Sequence, residues 1–134
     1  MNHQDTKAPR KEGIDRIASE IVDSAFKVHS TLGPGLLENV YEICLAHELH
    51  RRGITFERQV SLPIIYEGLK LESGLRIDII VDNSVVIEIK AVETLLDVHI
   101  AQLLTYLKLT HHRLGFIINF NVPRIKDGIK RFAL

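Results

Sequence analysis

The stretch that most constrains this chain is residues 76–91, RIDIIVDNSVVIEIKA. Apolar residues alternate on both sides of Asp82-Asn83-Ser84, and that period of two predicts two β-strands joined by a tight turn. Asn and Asp tolerate the left-handed backbone angles such a turn uses. A three-residue loop at 82–84 sets Val81 opposite Val85 and Asp78 opposite Glu88. Directly opposed residues point to the same side of a sheet, and Lys90, two beyond Glu88, joins them. Ile77, Ile79 and Val81 are then expected on one face with Val85, Ile87 and Ile89. A one-residue slip would turn every side chain over, so the reading depends on the loop length. Two carboxylates and an ammonium on one half-apolar face suit a hard divalent cation and a phosphate. The plainer reading is a charged outer face on which Arg76 and Lys90 neutralise the acids. Ile80 and Val86, on the same side, weigh against a face that is simply solvated.

The chain has 134 residues, enough for one domain with a usable core. Its formal net charge is +0, so any phosphate-binding surface must come from local clustering. There is no Trp and aromatics are few, which argues against extensive base stacking. The single cysteine, Cys44, rules out an internal disulfide and a Cys-based zinc site, and its helical setting suggests a small core residue. No apolar run is long enough to span a bilayer. Residues 1–13 are polar and carry no signal-peptide apolar region. They are expected to be a flexible tail ahead of one domain at 14–134, in a cytoplasmic protein.

Helical periodicity runs from Ile14 to Thr31, with Ile14, Ile17, Ala18, Ile21, Val22, Ala25 and Phe26 as the apolar stripe. Leu32-Gly-Pro-Gly35 breaks it. A second helix is predicted from Leu36 to Arg52, with Leu37, Val40, Tyr41, Cys44, Leu45 and Leu49 inward. Glu38 in its first turn is either an acid favoured by the helix dipole or a third carboxylate for the hairpin site. A long strand follows over 54–66, its Pro63 suited to an edge or a bulge. The next covers 69–81, with an interruption at Ser73-Gly74, and leads into the hairpin. A third helix is predicted over 94–110, with Leu96, Ile100, Leu103, Leu104 and Leu107 as its main apolar positions. Gln102 and Tyr106, one turn apart, can reach the same object. Residues 115–120 form an apolar run typical of a buried strand. Residues 124–134 are basic, read as a solvated tail or as a phosphate-contacting edge.

Asp78 followed by Glu88-Ile89-Lys90 resembles the core of the PD-(D/E)XK nucleases. Gly35-Leu-Leu-Glu38-Asn-Val-Tyr41 matches the GxxExxY signature of a small family within that superfamily, and Gln102-x-x-x-Tyr106 resembles its helix motif. The resemblance extends from Ile14 to the C-terminus and departs at Asn121, where the family pattern has glycine. It implies an α/β restriction-endonuclease-like fold, αβββαβ, with a central mixed sheet flanked by helices and one extra N-terminal helix. It also implies a metal-dependent nuclease acting on DNA or RNA, DNA ahead of RNA. Asp78, Glu88, the Ile89 carbonyl and Glu38 would then bind Mg2+ or Mn2+. Lys90 would position water by an electrostatic role, Gln102 and Tyr106 would line the site, and Tyr41 would orient rather than catalyse. Two alternatives stand beside it: a non-catalytic nucleic-acid- or protein-binding module that keeps the fold, and an enzyme on another phosphate substrate such as a nucleotide. A homodimer or a protein partner stays open, and a membrane is not expected.

Overall fold

A computed structural model describes residues 11–134. The chain opens with two helices, α1 (Lys11–Leu32) and α2 (Glu38–Arg51). Lys11 to Gly13, expected at the end of a tail, form the first turn of α1; the rest of that tail lies outside the described residues. Ile17, Ala18, Ile21, Ala25 and Val28 bury the α1 stripe. Phe26, assigned to the same stripe, is 44% exposed. It lies about 100° round the helix from Ala25, beyond the arc that its neighbours cover.

The break between the helices is a turn with Gly33 at φ 69 and Gly35 at φ 99, values that favour glycine. The Tyr41 hydroxyl closes it, donating to the Gly33 carbonyl at 2.6 Å and accepting from the Leu36 N–H at 3.1 Å. Its ring stacks on Phe120, with centroids 4.5 Å apart. α2 begins two residues later than predicted. Leu37 caps it in extended backbone and is 76% exposed rather than inward. Val40 is also exposed, and Cys44 is half-buried, packed against the edge of the core and lining a groove between α1 and α2.

Five strands make one mixed sheet in the order β1 (Phe56–Tyr66), β2 (Leu69–Val81), β3 (Val85–Lys90), β4 (Leu114–Asn119), β5 (Ile129–Ala133). Only β3 and β4 run parallel; the other neighbours are antiparallel. A parallel pair needs a crossover, and α3 (Asp97–Thr110) supplies it. α3 starts at Asp97 rather than 94, so Leu96 becomes its exposed N-cap. The His99 Nδ1 accepts the Leu96 N–H at 3.0 Å there. On the edge strand β1 the register shifts between Leu62 and Ile64, flanking Pro63 as expected. β2 runs on as one strand, but its ladder with β1 breaks between Leu71 and Leu75, around the expected Ser73-Gly74, where its extra residues bulge opposite that proline. The basic C-terminal segment is not a solvated tail. Ile125–Asp127 form a 3-10 turn with Ile125 buried, and Ile129–Ala133 pair with β4 as the second edge.

α1 and α2 cover one face of the sheet, where Ile79, Val81, Val85, Ile87 and Ile89 meet Ile21, Leu45 and Leu49. α3 covers the other, where Ile80, Val86 and Ile117 meet Leu103, Tyr106 and Leu107. Ile77 contradicts its expected face: it packs with Ile80 on the α3 side, as do Val60, Leu62 and Leu75. The alternation of both β1 and β2 reverses at one place, where Gln59 adopts φ 51. A left-handed residue turns the following side chains over, which a strict period of two cannot foresee.

The end of β4 is locked from the other side. A Cβ on Gly128 would collide with the Asn119 carbonyl oxygen, and the Asn119 N–H donates to the Gly128 carbonyl at 2.9 Å. Gly128→Ala is therefore expected to lower stability by about 1–3 kcal/mol through overpacking, read by urea unfolding. A midpoint equal to that of the unsubstituted protein would show that the β4–β5 corner relaxes freely.

Candidate active site

The hairpin has the predicted register. Val81 pairs with Val85, Ile80 with Val86 and Ile79 with Ile87. Asp82 and Asn83 turn the chain at φ 51 and 48, and the Ser84 hydroxyl donates to the Asp82 carbonyl at 2.7 Å. Beyond Ile79 and Ile87, side chains take over from the backbone ladder. The Asp78 N–H donates to Glu88 Oε2 at 3.1 Å, and the Ile89 N–H donates to Asp78 Oδ2 at 2.8 Å. Each carboxylate is thereby bound to the strand that carries the other, and each keeps its second oxygen out of these bonds.

Lys90 is half-buried at the end of β3, and its carbonyl accepts from the Phe120 N–H at 2.9 Å. The segment after it is held by the buried Asn119, whose amide donates to the Val92 carbonyl at 2.8 Å and accepts from the Val92 N–H at 3.1 Å. α2 enters from one side. The Ala91 N–H donates to Glu38 Oε2 at 3.3 Å, which brings the exposed Glu38 to the end of β3. α3 enters from the other side with the buried Tyr106; Gln102, half-buried, precedes it by one turn. Asp78, Glu88, Lys90, Glu38 and Tyr106 therefore meet where β2 and β3 part. Gln102 stands on the same flank of α3 as Tyr106, and the Ile89 side chain belongs to the core.

Burial dominates the electrostatics. It raises the Glu88 carboxyl to about 8, and the Asp78 charge pushes the same way. It raises Asp78 to about 6, against the Ile89 N–H bond that favours the ionised form. Lys90 opposes both shifts without cancelling them. Tyr106 is pushed up to about 12 by burial and then by the charges of Glu88 and Asp78. Among the described residues, neither Asp78 nor Glu88 is within ion-pair distance of a basic group.

Three residues that the sequence reading passed over shape the site. Glu42, one turn beyond Glu38, is 5% exposed. It accepts from Arg58 Nε at 3.1 Å and from the Gln59 amide at 2.8 and 2.9 Å. Its charge is felt at both Asp78 and Glu88. The i, i+4 spacing from Glu38 was the available signal. Gln59 and Asn119 left none, because backbone twist and strand-end clamps carry no periodicity. The basic C-terminal cluster is partly neutralised, Arg124 by Asp127 at 3.6 Å and Arg131 by Asp15 at 3.7 Å. At the end of α3, His112 Nε2 lies 3.0 Å from the Asn83 carbonyl.

The donor set suits a hard divalent cation. Among the described residues, no three His, Cys, Asp or Glu side chains are close enough to hold an ion by themselves. Asp78 and Glu88 nonetheless offer two carboxylates in a partly dry setting, and Mg2+ is commonly bound by one or two carboxylates with water and substrate phosphate completing the shell.

A family model described as the PD-(D/E)XK nuclease superfamily matches residues 15–132. Neither a search of curated proteins nor a search of solved structures gave a match. No helix among the described residues is long and apolar enough to cross a membrane.

A carboxyl whose pKa is raised by folding stabilises the folded state most below its unfolded value, and that contribution is lost as pH climbs through the folded value. The metal-free protein should lose stability between the ordinary carboxylate range and about pH 8. Glu88→Gln should flatten that slope in thermal melts across the pH range. An unchanged slope in the variant would contradict the burial of a protonated Glu88.

Proposed function

Because the chain belongs to the PD-(D/E)XK nuclease superfamily, we propose that it is a metal-dependent nuclease hydrolysing the phosphodiester bonds of nucleic acid, DNA ahead of RNA, with Mg2+ or Mn2+. Within the superfamily we assign it to the GxxExxY group, on Gly35, Glu38 and Tyr41. The observation that carries the reading is the pair of half-buried Asp78 and buried Glu88, joined through each other's backbone, with Lys90 two residues on. Strongly raised carboxyls in one cluster are characteristic of functional sites. They also make a place where a cation replaces protons, since crowded carboxylates ionise together only when a positive charge joins them.

Asp78, Glu88 and the Ile89 carbonyl would hold the cation, with Glu38 as a further ligand or an acceptor for its waters. Once bound, Mg2+ or Mn2+ lowers the pKa of a water and offsets charge on the phosphate. Lys90 directs its ammonium at the attacking water and the phosphate oxygens. Tyr106, with its hydroxyl far above neutral pH, keeps its proton and serves as a donor to phosphate, not as a base. Gln102 adds a second donor one turn away on α3. The raised carboxyls require neutral or alkaline conditions, or enough metal to compete with protons.

Incubating the protein with single- and double-stranded oligonucleotides, with Mg2+ or Mn2+, tests the assignment. Cleavage should fall about a hundredfold or more in Lys90→Ala, the usual scale for removing one group that stabilises developing charge, and vanish in Glu88→Ala. Variants that cut as well as the unsubstituted protein would refute the site. Hydrolysis of mononucleotides in place of oligonucleotides would move the assignment to a nucleotide hydrolase.

A further inference from the structure

Gln59 is the one residue of β1 with a left-handed backbone. Non-glycine residues seldom adopt it, and where they do the surroundings must enforce it. Here the enforcing contact is visible: the Gln59 amide donates to both oxygens of Glu42. Glu42 is in turn fixed by Arg58, whose Nη2 lies 3.0 Å from Oε2. The ladder pairs Arg58 with Ile79 and Val60 with Ile77, so Gln59 falls opposite Asp78, and the ladder skips the two. At that level both strands turn their apolar residues over, from the α1–α2 face to the α3 face. There, too, the Asp78 N–H goes to the Glu88 carboxylate instead of to a strand partner.

We propose that Glu42 and Gln59 are positioning residues for Asp78: the Glu42 clamp holds Gln59 left-handed, and that kink parts the strands so that the Asp78 carboxylate reaches the Ile89 N–H. Glu42 is not itself a ligand in this account, because Gln59 and Arg58 already occupy both of its oxygens. The proposal rests on the reading of Asp78 as a metal ligand only for its consequence; the placement of Asp78 exists without metal. Contacts that orient a ligand typically contribute about 10–100-fold in metal affinity.

The test is a series at the exposed Gln59. Valine cannot adopt a positive φ without strain, whereas glycine adopts it freely. The first readout is the backbone amide resonance of Ile89 in the metal-free protein, a reporter of its bond to Asp78 that Asp78→Ala calibrates. Gln59→Val should move this resonance to the Asp78→Ala position, and Gln59→Gly should leave it unmoved. Glu42→Met should behave as Gln59→Val does, and adding Gln59→Gly to Glu42→Met should restore it. The second readout is Mn2+ affinity by calorimetry, which should weaken about tenfold or more in Gln59→Val and recover with glycine. An unmoved Ile89 amide in folded Gln59→Val, or a glycine that fails to restore it, would overturn the proposal. Intact positioning without any oligonucleotide cleavage would instead refute the nuclease reading and leave the proposal standing.

Discussion

Two hydrogen bonds hold this architecture at its centre: the Asp78 N–H to the Glu88 carboxylate and the Ile89 N–H to the Asp78 carboxylate. They occupy the place where β2 and β3 would otherwise continue their ladder. A buried N–H must find an acceptor, and here the acceptors are ionisable. The strands thus part without leaving the backbone unsatisfied, and two carboxylates are drawn into a setting that disfavours their charge. Removing charge from water is costly unless a partner compensates, and the nearby ammonium of Lys90 is insufficient. The site is therefore costly to ionise on its own, and under the proposed function a divalent cation completes it.

The rest of the fold delivers groups to that gap. The parallel pairing of β3 with β4 requires a crossover, and α3 is that crossover, so Tyr106 reaches the carboxylates from one side. The tight turn at Leu32–Gly35, fastened by the Tyr41 hydroxyl, aims the start of α2 at the end of β3 from the opposite side. Asn119 and Gly128 secure the strand next door. Helices from both layers and the corner of β4 therefore converge on the end of one short strand. Tyr41 contributes through packing and two hydrogen bonds, although it belongs to the signature by which the chain resembles a family.

Much of this was legible in the chain. Alternation and an assumed three-residue loop at 82–84 gave the register of Asp78 against Glu88, because the loop length decides which side chains stand opposite each other. The helices were legible from their period, with errors at their ends: Leu37 and Leu96 are apolar residues at caps, where the helical period does not yet apply. Other features are invisible to periodicity. Ile77 changed faces because Gln59 is left-handed, a state set by a contact with Glu42 seventeen residues away. Strand β5 was hidden because only Ile129, Phe132 and Ala133 are apolar in a basic run, and an edge strand needs no more. Glu42 could have been found by its spacing from Glu38, but its burial depends on Arg58 and Gln59 arriving from another element.

The central claim is that Asp78 and Glu88 form a cation site. Thermal unfolding with and without Mn2+, on the unsubstituted protein and on Asp78→Ala, measures it most directly. A cation that binds only the folded state adds about 2.7 kcal/mol at a hundredfold excess over its dissociation constant. The account predicts a concentration-dependent rise in melting temperature that Asp78→Ala abolishes. An equal rise in both proteins would place the cation elsewhere and contradict the claim.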